Sequence, residues 1–62
     1  MIIAWWDKEH PESIDLIEKD ILPWLSANWV EWSPASDEEV EMYNKGIHHY
    51  RIGDVKWQKN IQ

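Results

Sequence analysis

The side chains able to do chemistry are three histidines, His10, His48 and His49, with twelve carboxylates and four serines. Histidine with carboxylate can hold a metal or form an acid–base pair, provided the groups converge on one point. Their spacing opposes convergence. His48 and His49 are adjacent, and neighbours in an extended segment point to opposite faces. No HExxH, calcium-loop or phosphate-cradling glycine pattern is present. Ser13, Ser26, Ser33 and Ser36 fall near expected helix ends, turns or a polar face, where capping accounts for them. There is no cysteine, hence no thiolate nucleophile, no thiolate ligand and no disulfide. The expectation is a non-catalytic chain with no catalytic residue, no metal site and no cofactor.

What remains is recognition chemistry. Six tryptophans, Trp5, Trp6, Trp24, Trp29, Trp32 and Trp57, stand in 62 residues with no phenylalanine. Indoles bury large areas in a core and are also enriched among the residues that dominate interfaces. Both uses are open here. Trp29 and Trp32 flank Glu31 in a segment that reads as an extended linker, and in a loop Trp32 would be the best candidate for a solvent-facing anchor. The net charge is −6, unevenly spread. Residues 1–46 carry eleven carboxylates against three lysines, whereas residues 47–62 carry three basic residues against Asp54. Such a field repels phosphates over most of the surface, so direct nucleic-acid binding is not expected. A protein partner with a basic or nucleic-acid-binding surface is.

The elements that must position these groups follow from periodicity. Ile2, Ile3, Ala4, Trp5 and Trp6 are apolar in both alternating sets, which predicts a strand needing cover on both faces and hints at self-association. From Pro11 the pattern turns helical, with Ile14, Ile17, Ile21, Trp24, Leu25 and Asn28 on one face, and Pro23 predicts a kink. On that helix Leu16, Pro23 and Ala27 form a second stripe, a candidate dimer contact. Ser36, Asp37, Glu38, Glu39, Lys45 and Gly46 spell a short helix with a capping box and a glycine stop. The runs 47–52 and 55–59 around Gly53-Asp54 predict a hairpin. In it Arg51 faces Lys56, a like-charge pair wanting a carboxylate from Asp7, a helix acid or a partner.

Length allows one domain, residues 1–62, and a chain this short has a marginal core. The expected fold is α+β: a small single-layer antiparallel sheet, made of the N-terminal strand and the C-terminal hairpin, packed by one kinked amphipathic helix and one short capped helix. No apolar run reaches the length of a membrane span, and residues 1–7 carry no basic residue ahead of their short apolar run and so lack the layout of a secretory signal; a cytoplasmic setting is expected. The expected function is protein binding, as a small acidic inhibitor. Its contacts would be Trp29, Glu31, Trp32, Asp37, Glu38, Glu41, Arg51 and Lys56, with a homodimer also open. One alternative is a nucleic-acid mimic filling an enzyme's cleft through Asp37, Glu38 and Glu41, a strategy of viruses and mobile elements. Another is a structural, self-assembling subunit. Carbohydrate binding by exposed indoles is a further one.

Overall fold

A computed structural model describes residues 1–54. The fold is α+β, and the described residues form a four-stranded antiparallel sheet and one α-helix. The strands are β1 (Ile2–Asp7), β2 (Ser13–Glu18), β3 (Val30–Pro34) and β4 (His49–Arg51), and the helix is α1 (Asp37–Asn44). Their order across the sheet is β3-β1-β2-β4. β1 and β2 form a hairpin in which Ala4 faces Leu16 and Trp5 faces Asp15. On its other side β1 pairs Trp5 with Trp32 and Trp6 with Glu31. β2 also pairs with β4, bringing Asp15 opposite His49 and Ile14 opposite Tyr50.

The kinked helix expected from Pro11 onward does not form. Ser13–Glu18 is β2, a 3-10 turn follows at Lys19–Ile21, and residues 23–29 are turns. Ser13-Ile14-Asp15-Leu16 also alternates polar and apolar, and this shorter period wins. β1, apolar on both faces, needs hydrogen-bonded neighbours along its edges, and two β-branched isoleucines suit β2 to that place. Pro11 lies in the hairpin turn, where His10 N–H donates to the Asp7 carbonyl and Ser13 N–H to the His10 carbonyl. Without a helix the stripe of Leu16, Pro23 and Ala27 does not exist. Leu16 is 2 % exposed and sits in the core, so it makes no self-association contact, while Pro23 and Ala27 lie in turns.

Both faces of β1 are covered from within the chain. On one side Ala4, Ile14, Leu16, Tyr50 and Met42 of α1 form the core, flanked by Trp6 and Tyr43. On the other, residues 19–29 cross from β2 to β3 past β1. Trp29 meets the Trp5 ring edge-on at 6.4 Å, Lys19 lies over Trp32, and Ile3, Leu22 and Val30 are buried. The double apolar pattern of residues 2–6 therefore needs no second copy to explain it.

α1 is specified locally at both ends. Ser36 Oγ accepts from Glu39 N–H while Glu39 Oε1 accepts from Ser36 N–H, which is the expected capping box. At the other end Gly46 N–H donates to the Tyr43 carbonyl and Ile47 N–H to the Met42 carbonyl, a Schellman closure. Gly46 takes a φ of +96°, which L side chains rarely adopt. After β4, Ile52, Gly53 and Asp54 begin a turn, but the expected strand 55–59, with Lys56 and Trp57, lies outside the described residues.

β3 has a neighbour on one side only among the described residues. Lys8 N–H donates to the Trp29 carbonyl and Ala35 N–H to the Ile2 carbonyl, so residues 29, 31, 33 and 35 turn their backbone groups toward β1 and residues 30, 32 and 34 turn theirs outward. Of these, Val30 N–H is taken by the Ala27 carbonyl, and Pro34 has no N–H.

Among the described residues, no helix is long and apolar enough to cross a membrane.

Candidate functional site

Five of the six indoles are described, and none is fully buried. Trp5 and Trp6 are partly covered, whereas Trp24, Trp29 and Trp32 are 44 %, 49 % and 36 % exposed. A small sheet with one short helix cannot enclose that much aromatic surface. The crossover then decides where the excess goes. Trp5 is the hub, because Trp32 is its cross-strand partner, Trp29 meets its ring at an interplanar angle of 67°, and Ile21, 60 % exposed, shares a depression with it. The Trp5 Nε1–H is buried and has no hydrogen-bond partner among the described residues. A cation already lies on this surface, with Lys19 Nζ 5.0 Å from the centre of the Trp32 ring.

At one end of this surface Trp29 and Asn28 meet the end of β1 and the hairpin turn. Together with Asp7, Lys8 and Glu9 they line a depression of about 370 Å³. Asp7 Oδ1 accepts from Glu9 N–H, which fixes the turn. The Lys8 N–H to Trp29 carbonyl bond ties the indole's backbone to the same turn.

The acidic candidates lie on the opposite side of the sheet. α1 packs over the Ala4, Ile14 and Leu16 face and presents Asp37, Glu38 and Glu41 to solvent. Glu41 pairs with Lys45 at 3.6 Å, and Glu38 and Glu41 border a shallow depression with Met42, Lys45 and Ile47. Glu39 is committed to the fold: beyond the capping box, its Oε2 accepts from the Tyr50 hydroxyl. Burial, then the hydrogen bond to Glu39 and its charge, push the Tyr50 hydroxyl well above the usual phenol range. Glu31, placed by sequence between two anchors, points to the α1 side, where it accepts from Trp6 Nε1–H at 3.2 Å.

The sequence-derived contacts thus divide. Trp29 and Trp32 come together through Trp5; Glu31, Asp37, Glu38 and Glu41 share the other side without joining them. Arg51 lies opposite Ser13, exposed and without an ion pair among the described residues, so neither Asp7 nor a helix acid neutralises it. The two histidines do diverge: His48 stacks on Tyr43 at 4.4 Å, and His49 Nδ1 lies 2.7 Å from Asp15 Oδ1. Sequence reasoning missed Trp5, Ile21 and Lys19 as members of the indole surface. The alternation through Ser13-Ile14-Asp15-Leu16 was the signal for β2, and a strand there would have turned 19–29 into a crossover.

No protein-family model matches the chain, and comparison with curated proteins and with solved structures finds no match.

Proposed function

We propose that the domain is a non-catalytic protein-binding module whose contact surface is the indole face built on Trp5. The observation that carries this reading is the exposure of Trp24, Trp29, Trp32 and Ile21 on one crossover and its adjoining strand. Exposed indoles supply much contact area at little rotamer cost and dominate interface energetics where they occur. The acidic α1 side acts at a distance, speeding and orienting encounter with a basic partner, so salt slows association more than it speeds dissociation. The reading of a nucleic-acid mimic rests on fewer groups, since Glu39 is tied to Ser36 and Tyr50 and Glu41 to Lys45.

The test is affinity capture from a cell lysate with three immobilised chains: wild type, Trp29→Ala/Trp32→Ala, and Asp37→Asn/Glu38→Gln/Glu41→Gln. A stoichiometric protein held by the wild type should be lost from the indole variant and retained, with slower association, by the acid variant. Retention unaffected by the indole variant overturns the proposal. Loss confined to the acid variant, with displacement by added DNA, moves the mimic reading ahead.

A further inference from the structure

We infer that the depression between Trp29 and the β1–β2 turn receives an arginine side chain from a basic segment of the partner; this rests on the indole-face reading above and specifies its ligand. Three features of the depression converge on a planar cation. One wall is an indole, half exposed, whose ring is held against Trp5 and whose backbone is tied to Lys8. Another is the turn bearing Asp7 and Glu9, two carboxylates against the single ammonium of Lys8. Among the described residues neither carboxylate forms an ion pair, and the one bond the Asp7 carboxylate accepts uses Oδ1. The depression, about 370 Å³ and open to solvent, leaves room for a side chain to enter from outside.

The same surface contains a filled counterpart. Lys19 lies over Trp32, so the chain itself places a cation on an indole of this face. Trp29 has no cation of the described residues over its ring, yet two carboxylates stand beside it. A cation entering here gains attraction from the ring face and from Asp7 and Glu9 together. Arginine fits better than lysine, because its guanidinium is flat enough to stack on the indole while its fork meets a carboxylate edge. The site thereby selects among basic partners: a surface rich in arginine is held, and one rich in lysine is attracted without being gripped.

The probe is a hexa-arginine peptide, set against hexalysine and neutral hexacitrulline, at physiological ionic strength. The indole Nε1–H signals are followed by NMR, with Trp29 assigned through Trp29→Phe. The arginine peptide should move the Trp29 signal, with hexalysine weaker and hexacitrulline inert. Trp29→Ala and, separately, Asp7→Asn/Glu9→Gln should each weaken binding by roughly tenfold. The second variant is isosteric and leaves the acceptor of the Glu9 N–H in place, so it reports on charge even where Trp29→Ala disturbs folding. Equal binding of hexacitrulline overturns the inference, as does binding that survives both variants and disappears when Asp37, Glu38 and Glu41 are neutralised. If the peptide leaves Trp29 unmoved while lysate capture still depends on Trp29 and Trp32, the cation site falls and the indole interface stands. If capture is indifferent too, both fall.

Discussion

The side of the sheet that carries Ala4, Ile14, Leu16 and Tyr50 is closed by α1, a helix hydrogen-bonded at both ends, whereas the side that carries Ile3, Trp5 and Val30 is closed by a crossover without an α-helix. The first closure is local in origin, and Glu39 serves both the helix cap and the buried tyrosine. The second buries Ile3, Leu22 and Val30 but leaves three indoles and an isoleucine in water. One cover is pinned at both ends. The other leaves apolar surface open. Under the binding function proposed above, stability and recognition would fall to different faces of a chain too short to bury all its aromatic surface.

The sharpest way to break this comparison is in the α1-side core. Leu16→Ala should cost about 2–5 kcal/mol, measured by urea denaturation, because it opens a cavity among Ala4, Ile14, Met42 and Tyr50. A cost within about 0.5 kcal/mol would instead fit an exposed helical position. Next comes Glu39→Ala, which removes the capping box and the acceptor of a buried hydroxyl for a combined loss of about 2–3 kcal/mol. Glu39→Gln should recover the capping part of it, since its one carbonyl oxygen can accept from Ser36 N–H while its amide NH2 cannot accept from the Tyr50 hydroxyl. Equal losses in the two variants would show that the cap contributes little.

A smaller effect is set by pH. The folded state raises the Tyr50 hydroxyl above its ordinary value of 10.0, so above that value the unfolded chain releases its proton first and unfolding is favoured. This contribution is whole below pH 10 and declines as pH rises toward the folded value, by at most about 1.4 kcal/mol per pH unit. Tyr50→Phe should flatten the alkaline decline of stability, and an unchanged slope would remove Tyr50 as its source. The smallest change is expected on the indole side. Trp5→Phe removes a buried donor that has no partner among the described residues, a gain of about 1–3 kcal/mol, and loses ring packing of similar size. The net shift in the urea midpoint should be slight, and a loss above about 3 kcal/mol would place Trp5 in the fold's essential core and not in a tunable hub.

The parts of this fold legible in the sequence are those fixed by neighbours in the chain. Ser36 with Glu39, and Gly46 after Lys45, determine α1 within a single turn at each end, and β1 is marked by its own composition. β2 was not legible because Ile14, Ile17 and Ile21 satisfy a helical period while Ile14 and Leu16 satisfy a strand period. What decides between them is a long-range fact, that β1 needs a neighbour. The indole surface inherits that ambiguity. Trp29 and Trp32 could be singled out as anchors from their setting, yet their meeting through Trp5, and their separation from Glu38 and Glu41 by the thickness of the sheet, depend on where residues 19–29 run. Of the run 47–52 expected as a hairpin strand, His49–Arg51 is β4, paired with β2, with Tyr50 inward and His49 and Arg51 outward.

The outward edge of β3 also bears on solubility. A domain that leaves indoles in water beside an open strand would be expected to polymerise, copy adding to copy through the sheet. Among the described residues, Pro34 offers no donor and the Val30 donor is folded back onto Ala27, leaving Trp32 with the outward N–H of this edge. An added strand would meet a donor at one position and acceptors alone on either side of it. The edge is thus a poor template for a growing sheet, and the exposure of this face lies mainly in its side chains.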